Sequence, residues 1–297
     1  MSNEDEFDPI REMAKFAAMR TGAIPPLNTS LFRYVSLWSD RSWELLECTI
    51  LKDKIPLTTP VTFNDPFDSN PVVVSDVSLS EIDRVIKEVP GLGLPLVDIQ
   101  LTLNDGRLAT KAEVEEQAVR SIAETLIRQQ SPKIASFCRR ISSQLLWAHY
   151  ADSYKGLAYH FVVSGSSDSA FRSVHPVEYH RQRPIIVASE MLDLLDQTPP
   201  RNLGTLYQQR LAFDRKAYLT KSIEWSYEEE ERLLCRTKEA PFEPYELAAL
   251  IVGPRFPDEH LVRLKAIVTK RSRPLRIYRA KLAESDYAIE IDWKNPL

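Results

Sequence analysis

The chain has 297 residues, of which 43% are hydrophobic and 27% charged, with a formal net charge of −4. This composition supports an apolar core and excludes general disorder, and the negative charge argues against a dedicated nucleic-acid binder. The widely spaced Cys48, Cys138 and Cys235 are typical of free thiols in a reducing compartment. No apolar run is long enough to span a bilayer, and the first residues are acidic, so we expect a cytoplasmic protein without membrane contacts.

Short strands and amphipathic helices follow one another irregularly along the chain, which indicates the α+β class. Residues 1–30 predict an N-terminal arm, and residues 31–297 a single domain with a mixed central sheet, flanking helices and a helical insertion around residues 78–130. The predicted strands are Leu31–Ser36, Ile55–Thr59, Lys133–Cys138, Gly156–Val163, Val174–Tyr179, Pro184–Val187, Ala248–Val252, Leu275–Ala280 and Tyr287–Asp292. The predicted helices are Trp43–Leu51, Ser80–Val89, Thr110–Gln129, Gln144–Ala151, Ser189–Leu195, Leu203–Thr220 and Pro257–Lys270.

The stretch Thr220–Leu234, TKSIEWSYEEEERLL, is unusually acidic. Read as a strand, it places Glu228, Glu230 and Arg232 on one face, whereas a helical reading makes an acidic turn. The flanking aromatic and aliphatic residues favour a strand that leaves a helix. Like charges held this close need solvent or a cation, which is the sequence's best indication of a site. The alternative is a surface strand whose glutamates pair with Arg232 and nearby lysines.

Two other polar segments are compatible with either a structural or a functional role. The segment FNDPFD (Phe63–Asp68) predicts a tight turn in which Asn64 and Asp65 bond the local backbone, either as a structural turn or as a loop at a pocket mouth. His149 and Tyr150 end a predicted helix, and a lone histidine there is more often a core or hinge residue than a catalyst.

Several reaction classes lack their sequence signatures. The chain has only 8 glycines and contains neither a phosphate-binding loop nor a cysteine–histidine metal spacing, so we expect no metal. A basic run near the C-terminus predicts either a solvated face or a nucleic-acid surface. Its candidate contact residues are Lys270, Arg271, Arg273, Arg276 and Arg279.

Five segments together resemble the bacterial family catalogued as domain of unknown function 2971. They are FRYVS (Phe32–Ser36), FNDPFD (Phe63–Asp68), LWAHYADSYKGLAYHF (Leu146–Phe161), KSIEWSYEEEERLL (Lys221–Leu234) and LIVGPR (Leu250–Arg255). They occur in the family's order and extend from about Leu31 to the C-terminus. The resemblance implies a bacterial effector, such as a toxin of antiviral defence or abortive infection.

A looser resemblance is to ADP-ribosyltransferase-like folds, which place an arginine on an early strand, a serine or aromatic residue on a middle strand, and a glutamate, often as ExE, on a later one. Here Arg33, then Ser136 or Tyr150, then Glu228 and Glu230 follow that order. The middle segment departs from the pattern, because Ala135-Ser136-Phe137 replaces Ser-Thr-Ser. This resemblance implies NAD as a substrate, either for ADP-ribosyl transfer to an unknown acceptor or for NAD glycohydrolysis.

The implied roles follow from the chemistry of cleaving the nicotinamide–ribose bond. Glu230 would stabilise the positive charge that develops on the ribose, and Glu228 would activate the acceptor. Arg33 would hold the pyrophosphate, and Tyr150 would stack on the nicotinamide. The residues assigned to NAD binding are Arg33, Tyr34, Ser136, Trp147, His149, Asn64 and Asp65. The hypothesis requires Arg33, Tyr150 and Glu230 to line one cleft.

Two alternatives stay open. One is a nuclease or nucleic-acid-binding effector that uses the basic run and the carboxylates Asp65 and Asp68. The other is a non-catalytic sensor or interaction protein.

Overall fold

The computed structural model describes residues 29–103, 105–195 and 203–297. The chain divides into two compact units, and each is described by itself. The described part of the first unit consists of residues 29–58, Pro132–Val177 and Ser226–Leu297. The second unit consists of Thr59–Ser131 and Glu178–Trp225. The predicted N-terminal arm lies outside the described residues, except for its last two, of which Ser30 begins the first strand.

The helices in the described residues alternate irregularly with short strands. The helices are α1 (Asp40–Lys52), α2 (Leu79–Glu88), α3 (Lys111–Gln129), α4 (Gln144–Tyr150), α5 (Ala188–Leu195), α6 (Leu203–Tyr218) and α7 (Asp258–Val268). The strands are β1 (Ser30–Val35), β2 (Lys54–Pro56), β3 (Val72–Val74), β4 (Lys133–Cys138), β5 (Leu157–Val162), β6 (Val174–Pro176), β7 (Glu178–His180), β8 (Ile185–Val187), β9 (Thr220–Ser222), β10 (Glu230–Cys235), β11 (Glu239–Pro241), β12 (Leu247–Val252), β13 (Arg276–Leu282) and β14 (Ile289–Ile291). Among these helices, none combines the length and the apolar character that crossing a membrane requires.

The first unit is built on an eight-stranded sheet in the order β14-β13-β12-β5-β1-β4-β10-β6. Neighbouring strands are antiparallel except for the parallel pair β12–β13, so the sheet is mixed. Helices α1 and α7 contact each other and bury residues such as Trp43, Leu46 and Leu264 in one core cluster. Helix α4 contributes Leu146 and Trp147 to a second cluster. The sheet therefore has a core on each face.

The second unit holds α2, α3, α5 and α6 with two short parallel strand pairs, β3–β8 and β7–β9. The amphipathic pattern of α3 is realised, since Val119, Ile122 and Leu126 are buried. Ser78 and Thr110 each cap the following helix with a reciprocal side-chain–backbone pair, the arrangement known as a capping box.

The predicted α+β class, the mixed sheet and the helices around residues 78–130 are confirmed. Strand β4 occupies the range predicted for it. The single strand predicted over Val174–Tyr179 is wrong, because β6 pairs with β10 whereas β7 pairs with β9. Strands β3 and β11, of three residues each, were not predicted.

His160 on β5 predicts a pH-dependent stability. Its ring stacks on Phe32 at 4.7 Å between centroids and lies 5.8 Å from Trp293, and burial lowers its pKa from 6.5 to about 4. Between these values the unfolded chain binds a proton that the folded chain does not, so stability falls as the pH drops from 6.5 to about 4.

Urea unfolding at several pH values tests this expectation. His160→Gln should show less loss of stability between those pH limits than the wild type does. His149→Gln replaces an exposed histidine and serves as the matched control for loss of an imidazole. Parallel curves for the wild type and His160→Gln would show that His160 titrates as it does in the unfolded chain.

Candidate functional site

The acidic stretch forms a short 3-10 helix over Ile223–Glu228, followed by strand β10. Glu229 joins them with a φ of 45°, a left-handed conformation that is uncommon for a residue with a side chain. This turn in the backbone removes Glu228 from the strand, so the prediction that Glu228 shares a strand face with Glu230 and Arg232 is wrong. Only Glu230 and Arg232 belong to β10 and alternate along it as a strand requires.

Each of the two predicted catalytic glutamates is buried and hydrogen-bonded. Glu228 is 4% exposed and Glu230 5% exposed. The hydroxyl of Tyr150 donates to Oε1 of Glu228 at 2.7 Å. Arg232, which is fully buried, donates through Nε and Nη2 to the two oxygens of Glu230 at 2.7 and 3.0 Å. We call these four residues the acidic cluster. Glu230 is neutralised by a bidentate arginine, which makes it a poor free carboxylate for catalysis.

Strand register separates Arg33 from the acidic cluster. Phe32 pairs with Cys138, and Cys138 pairs with Glu230, so these three side chains share one face of the sheet. Arg33, the next residue after Phe32, points to the opposite face, where its partner Tyr159 belongs to the core cluster of α1 and α7. The prediction that Arg33 and Glu230 line one cleft is therefore wrong, because the two residues lie on opposite faces of the sheet.

Arg33 lies at a cavity of about 270 Å³ in the first unit. The cavity is lined by Arg33, Tyr34, Val35, Ser36, Trp38, Ser42, Leu45, Leu46, Thr49, Ile55, Pro56, Tyr150, Tyr159 and Phe161. Its volume equals that of roughly nine water molecules at ~30 Å³ each, so the cavity has room for a small organic molecule. Tyr150 thus lines the same cavity as Arg33, whereas Glu230 does not.

Arg33 has no acidic partner within the part of the chain that the structure describes. Its Nη1 donates to the carbonyl of Pro56 at 2.7 Å, and its guanidinium lies 6.0 Å from the centre of the Phe137 ring. Burial lowers the pKa of Arg33, because the charged form loses hydration. Arg33 is partly buried, and a cation among apolar and aromatic side chains without a carboxylate partner is unfavourable for the fold.

The remaining predicted NAD-binding residues of the first unit have structural or solvent-facing positions. The Tyr34 hydroxyl donates to the carbonyl of Ile141 at 2.8 Å, and burial raises its pKa. Trp147 is fully buried and donates from Nε1 to the same carbonyl at 2.8 Å. Ser136 and His149 are exposed. Of the core or hinge roles that the sequence favoured for His149, its exposure excludes the core role.

Asn64 and Asp65 belong to the second unit. Asp65 accepts a hydrogen bond from the backbone N–H of Phe67 at 2.9 Å, which is the side-chain-bonded turn that the sequence predicted. Asp68, which ends the same motif, lies 3.6 Å from Nζ of the buried Lys221. This ion pair holds the turn against β9.

The basic run does not form a uniform charged surface. Arg271 has a side chain only 3% exposed, which lies 2.6 Å from Asp53 and donates to the carbonyls of Pro244 and Ile50. Lys270, Arg273 and Arg276 are exposed, and Arg279 is partly buried. Arg271 therefore holds the end of α1 in place and is not available as a phosphate contact.

No metal site is found within the described ranges, where no group of three or more His, Cys, Asp or Glu side chains could hold an ion. Comparison of the chain with protein-family models, curated proteins and solved structures found no match. The family resemblance noted in the sequence remains a prediction.

The sequence identified Arg33, Tyr34 and Tyr150 of this cavity but not its other lining residues. Trp38, Thr49 and Tyr159 line the cavity from a loop, a helix and a neighbouring strand. The one available signal was an arginine in the otherwise apolar and aromatic strand LFRYV, since such a charge needs a partner or a ligand.

The bond between Tyr150 and Glu228 predicts a measurable contribution to stability. Tyr150→Phe removes one hydrogen-bond donor from a buried carboxylate, which should lower the free energy of unfolding by about 1–3 kcal/mol. Tyr287 is 99% exposed, so Tyr287→Phe serves as the matched control and should leave unfolding unchanged. An equal effect of the two substitutions in urea would contradict a stabilising role for this hydrogen bond.

Arg271 provides a second prediction. Arg271→Met leaves Asp53 without its cation and two carbonyls without a donor, so we expect a loss of about 3 kcal/mol in unfolding free energy. Arg276→Met, at an exposed position of the same basic run, should change it by less than about 0.5 kcal/mol. A stable Arg271→Met protein would instead indicate that the run is a solvated surface throughout.

Proposed function

We propose that the first unit is a binding module for a small organic anion, which occupies the cavity at Arg33. The observation that carries this proposal is the guanidinium of Arg33, which faces a cavity without any carboxylate partner among the described residues. A ligand anion would supply the missing counter-charge. In function, the proposal corresponds to the sensor alternative rather than to NAD cleavage.

The energetic argument rests on the contrast between Arg33, which is partly buried, and two arginines with buried side chains. Arg232 and Arg271 each have an acidic partner in the chain, at 2.7 and 2.6 Å. Arg33 has only one carbonyl. An unpaired cation at such a place lowers the stability of the fold, and residues that lower stability persist where binding requires them.

The cavity also has the composition of a small-molecule site. Aliphatic and aromatic side chains such as Leu45, Leu46 and Phe161 form most of its wall, with one charged group among them. Small-molecule sites are commonly apolar with few polar groups that fix the ligand's orientation. An apolar environment strengthens the attraction between an anion and Arg33, because water screens the charges less.

Arg33→Met tests this function through two separate measurements. Without ligand, the variant should be as stable as the wild type or more stable by up to about 2 kcal/mol, since an unpaired charge is removed. With benzoate or phenyl phosphate at saturating concentration, the wild-type melting temperature should rise by a few degrees. The same anions should leave Arg33→Met unchanged.

Arg276→Met is the control for the loss of one positive charge, because Arg276 is exposed on β13 of the same unit. It should keep the anion-dependent rise in melting temperature. A strongly destabilised Arg33→Met would identify Arg33 as a structural residue. An anion response that survives in that variant would locate binding elsewhere.

A further inference from the structure

We propose that the ligand at Arg33 is an organic carboxylate, bound side-on by the Nε–H and Nη2–H groups of the guanidinium, with an apolar body in the cavity. This inference rests on the proposed binding function and specifies the chemical class of its ligand. It follows from which edge of Arg33 remains open, from the other polar groups of the cavity, and from the cavity's wall.

The open edge of Arg33 has the geometry of a carboxylate fork. Nη1 is engaged by the carbonyl of Pro56 at 2.7 Å, whereas Nε and Nη2 donate no hydrogen bond within the described part of the chain. The N–H groups of Nε and Nη2 are parallel and lie in one plane, so they match the two oxygens of a carboxylate. The Pro56 bond also fixes the guanidinium plane before a ligand arrives.

The same protein already shows this mode of binding. On the other face of the sheet, Arg232 donates to Glu230 through Nε and Nη2 at 2.7 and 3.0 Å. The edge used by Arg232 is the edge that Arg33 leaves open. A ligand carboxylate at Arg33 would therefore reproduce a contact that this sheet accommodates elsewhere.

The serine and threonine hydroxyls of the cavity favour a monoanion over a phosphate. Ser36 donates to the Tyr150 carbonyl, Ser42 belongs to the N-terminal capping box of α1, and Thr49 donates to a carbonyl one turn earlier in α1. Their hydroxyl protons are therefore already used. One cation with two free N–H groups suits a single carboxylate, whereas a phosphate carries up to two charges and three acceptor oxygens.

The side chains that form the cavity wall indicate that the rest of the ligand is apolar. Leu46, Ile55 and Phe161 are buried there, while Trp38 lines the cavity and is 80% exposed, which places its indole at the rim. An aryl or aliphatic body is the part of the ligand that gains from burial against these side chains, at about 25 cal/mol per Å² of apolar surface. Trp38 can cover an aromatic body by stacking.

Four probes that differ in charge, headgroup or apolar body test the carboxylate assignment by calorimetry and ligand-observed NMR. The probes are phenylacetate, phenyl phosphate, acetate and the neutral benzyl alcohol. In the wild type, phenylacetate should bind at least tenfold more tightly than each of the other three. In Arg33→Lys, which keeps the charge and loses the fork, its affinity should fall at least tenfold. Arg276→Lys should retain wild-type affinity.

The outcomes separate this inference from the function on which it rests. If phenyl phosphate binds more tightly than phenylacetate, or if Arg33→Lys keeps its affinity for phenylacetate, the carboxylate assignment is wrong while organic-anion binding stands. If acetate binds with the same affinity as phenylacetate, the apolar body does not contribute to binding, and the assignment of an apolar body in the cavity is wrong. If no anion binds better than benzyl alcohol at millimolar concentration, the proposed binding function itself is overturned. Unchanged melting temperatures of the variants without ligand exclude misfolding as the cause.

Discussion

The alternation of side chains along β1, β4 and β10 is the constraint on which the organisation of the first unit depends. In a strand, successive side chains project to opposite faces, and directly paired residues share a face. The pairs Phe32–Cys138 and Cys138–Glu230 therefore assign Glu230 to one face and Arg33 to the other. A shift of one residue in either ladder would bring them to the same face. The strand register therefore places Arg33 and Glu230 in two separate sites, whereas their order in the sequence had suggested a single site.

Buried charges are paired differently on the two faces of the sheet. On one face, Arg232 neutralises Glu230 within the same strand. On the other, Glu231 pairs with Phe137 in the ladder and lies 2.6 Å from Nε of Arg139. Burial raises the pKa of Glu231, because it disfavours the charged carboxylate. The neighbouring Arg139 offsets this effect by stabilising the charged form. Arg33 lies near Phe137 but does not share Glu231. The absence of a partner for Arg33 within the described chain thus follows from how the neighbouring charges are already paired.

Local patterns were sufficient to predict most of the fold. Alternating or continuous apolar runs identified β4, β5 and β12, and helical periodicity identified α2 and α3. The site was less predictable. The turn at Glu229 depends on a left-handed backbone conformation at a glutamate, for which the sequence has no signal. The bond from Tyr150 to Glu228 joins residues 78 positions apart. Such contacts depend on strand order and register, which composition and periodicity do not specify.

A tight backbone crossing supports both sites of the first unit. After α4, Asp152, Ser153 and Tyr154 have φ values of 45°, 51° and 73°, each of which costs of the order of 1 kcal/mol. The turn persists because its surroundings leave no alternative. A Cβ atom on Gly156 would lie 2.2 Å from the Val35 carbonyl oxygen, and one on Gly253 would lie 2.0 Å from that of Tyr154.

The ends of β1 and β12 and the start of β5 therefore meet at a point that only glycine permits. That point also fixes Tyr150, whose carbonyl accepts from Ser36 at 3.1 Å and whose hydroxyl donates to Glu228 at 2.7 Å. Tyr150 is a wall of the cavity and a member of the acidic cluster. Although Arg33 and Glu230 face opposite sides of the sheet, one strained turn positions a residue that belongs to both sites. The geometry of each site consequently depends on the same few backbone contacts.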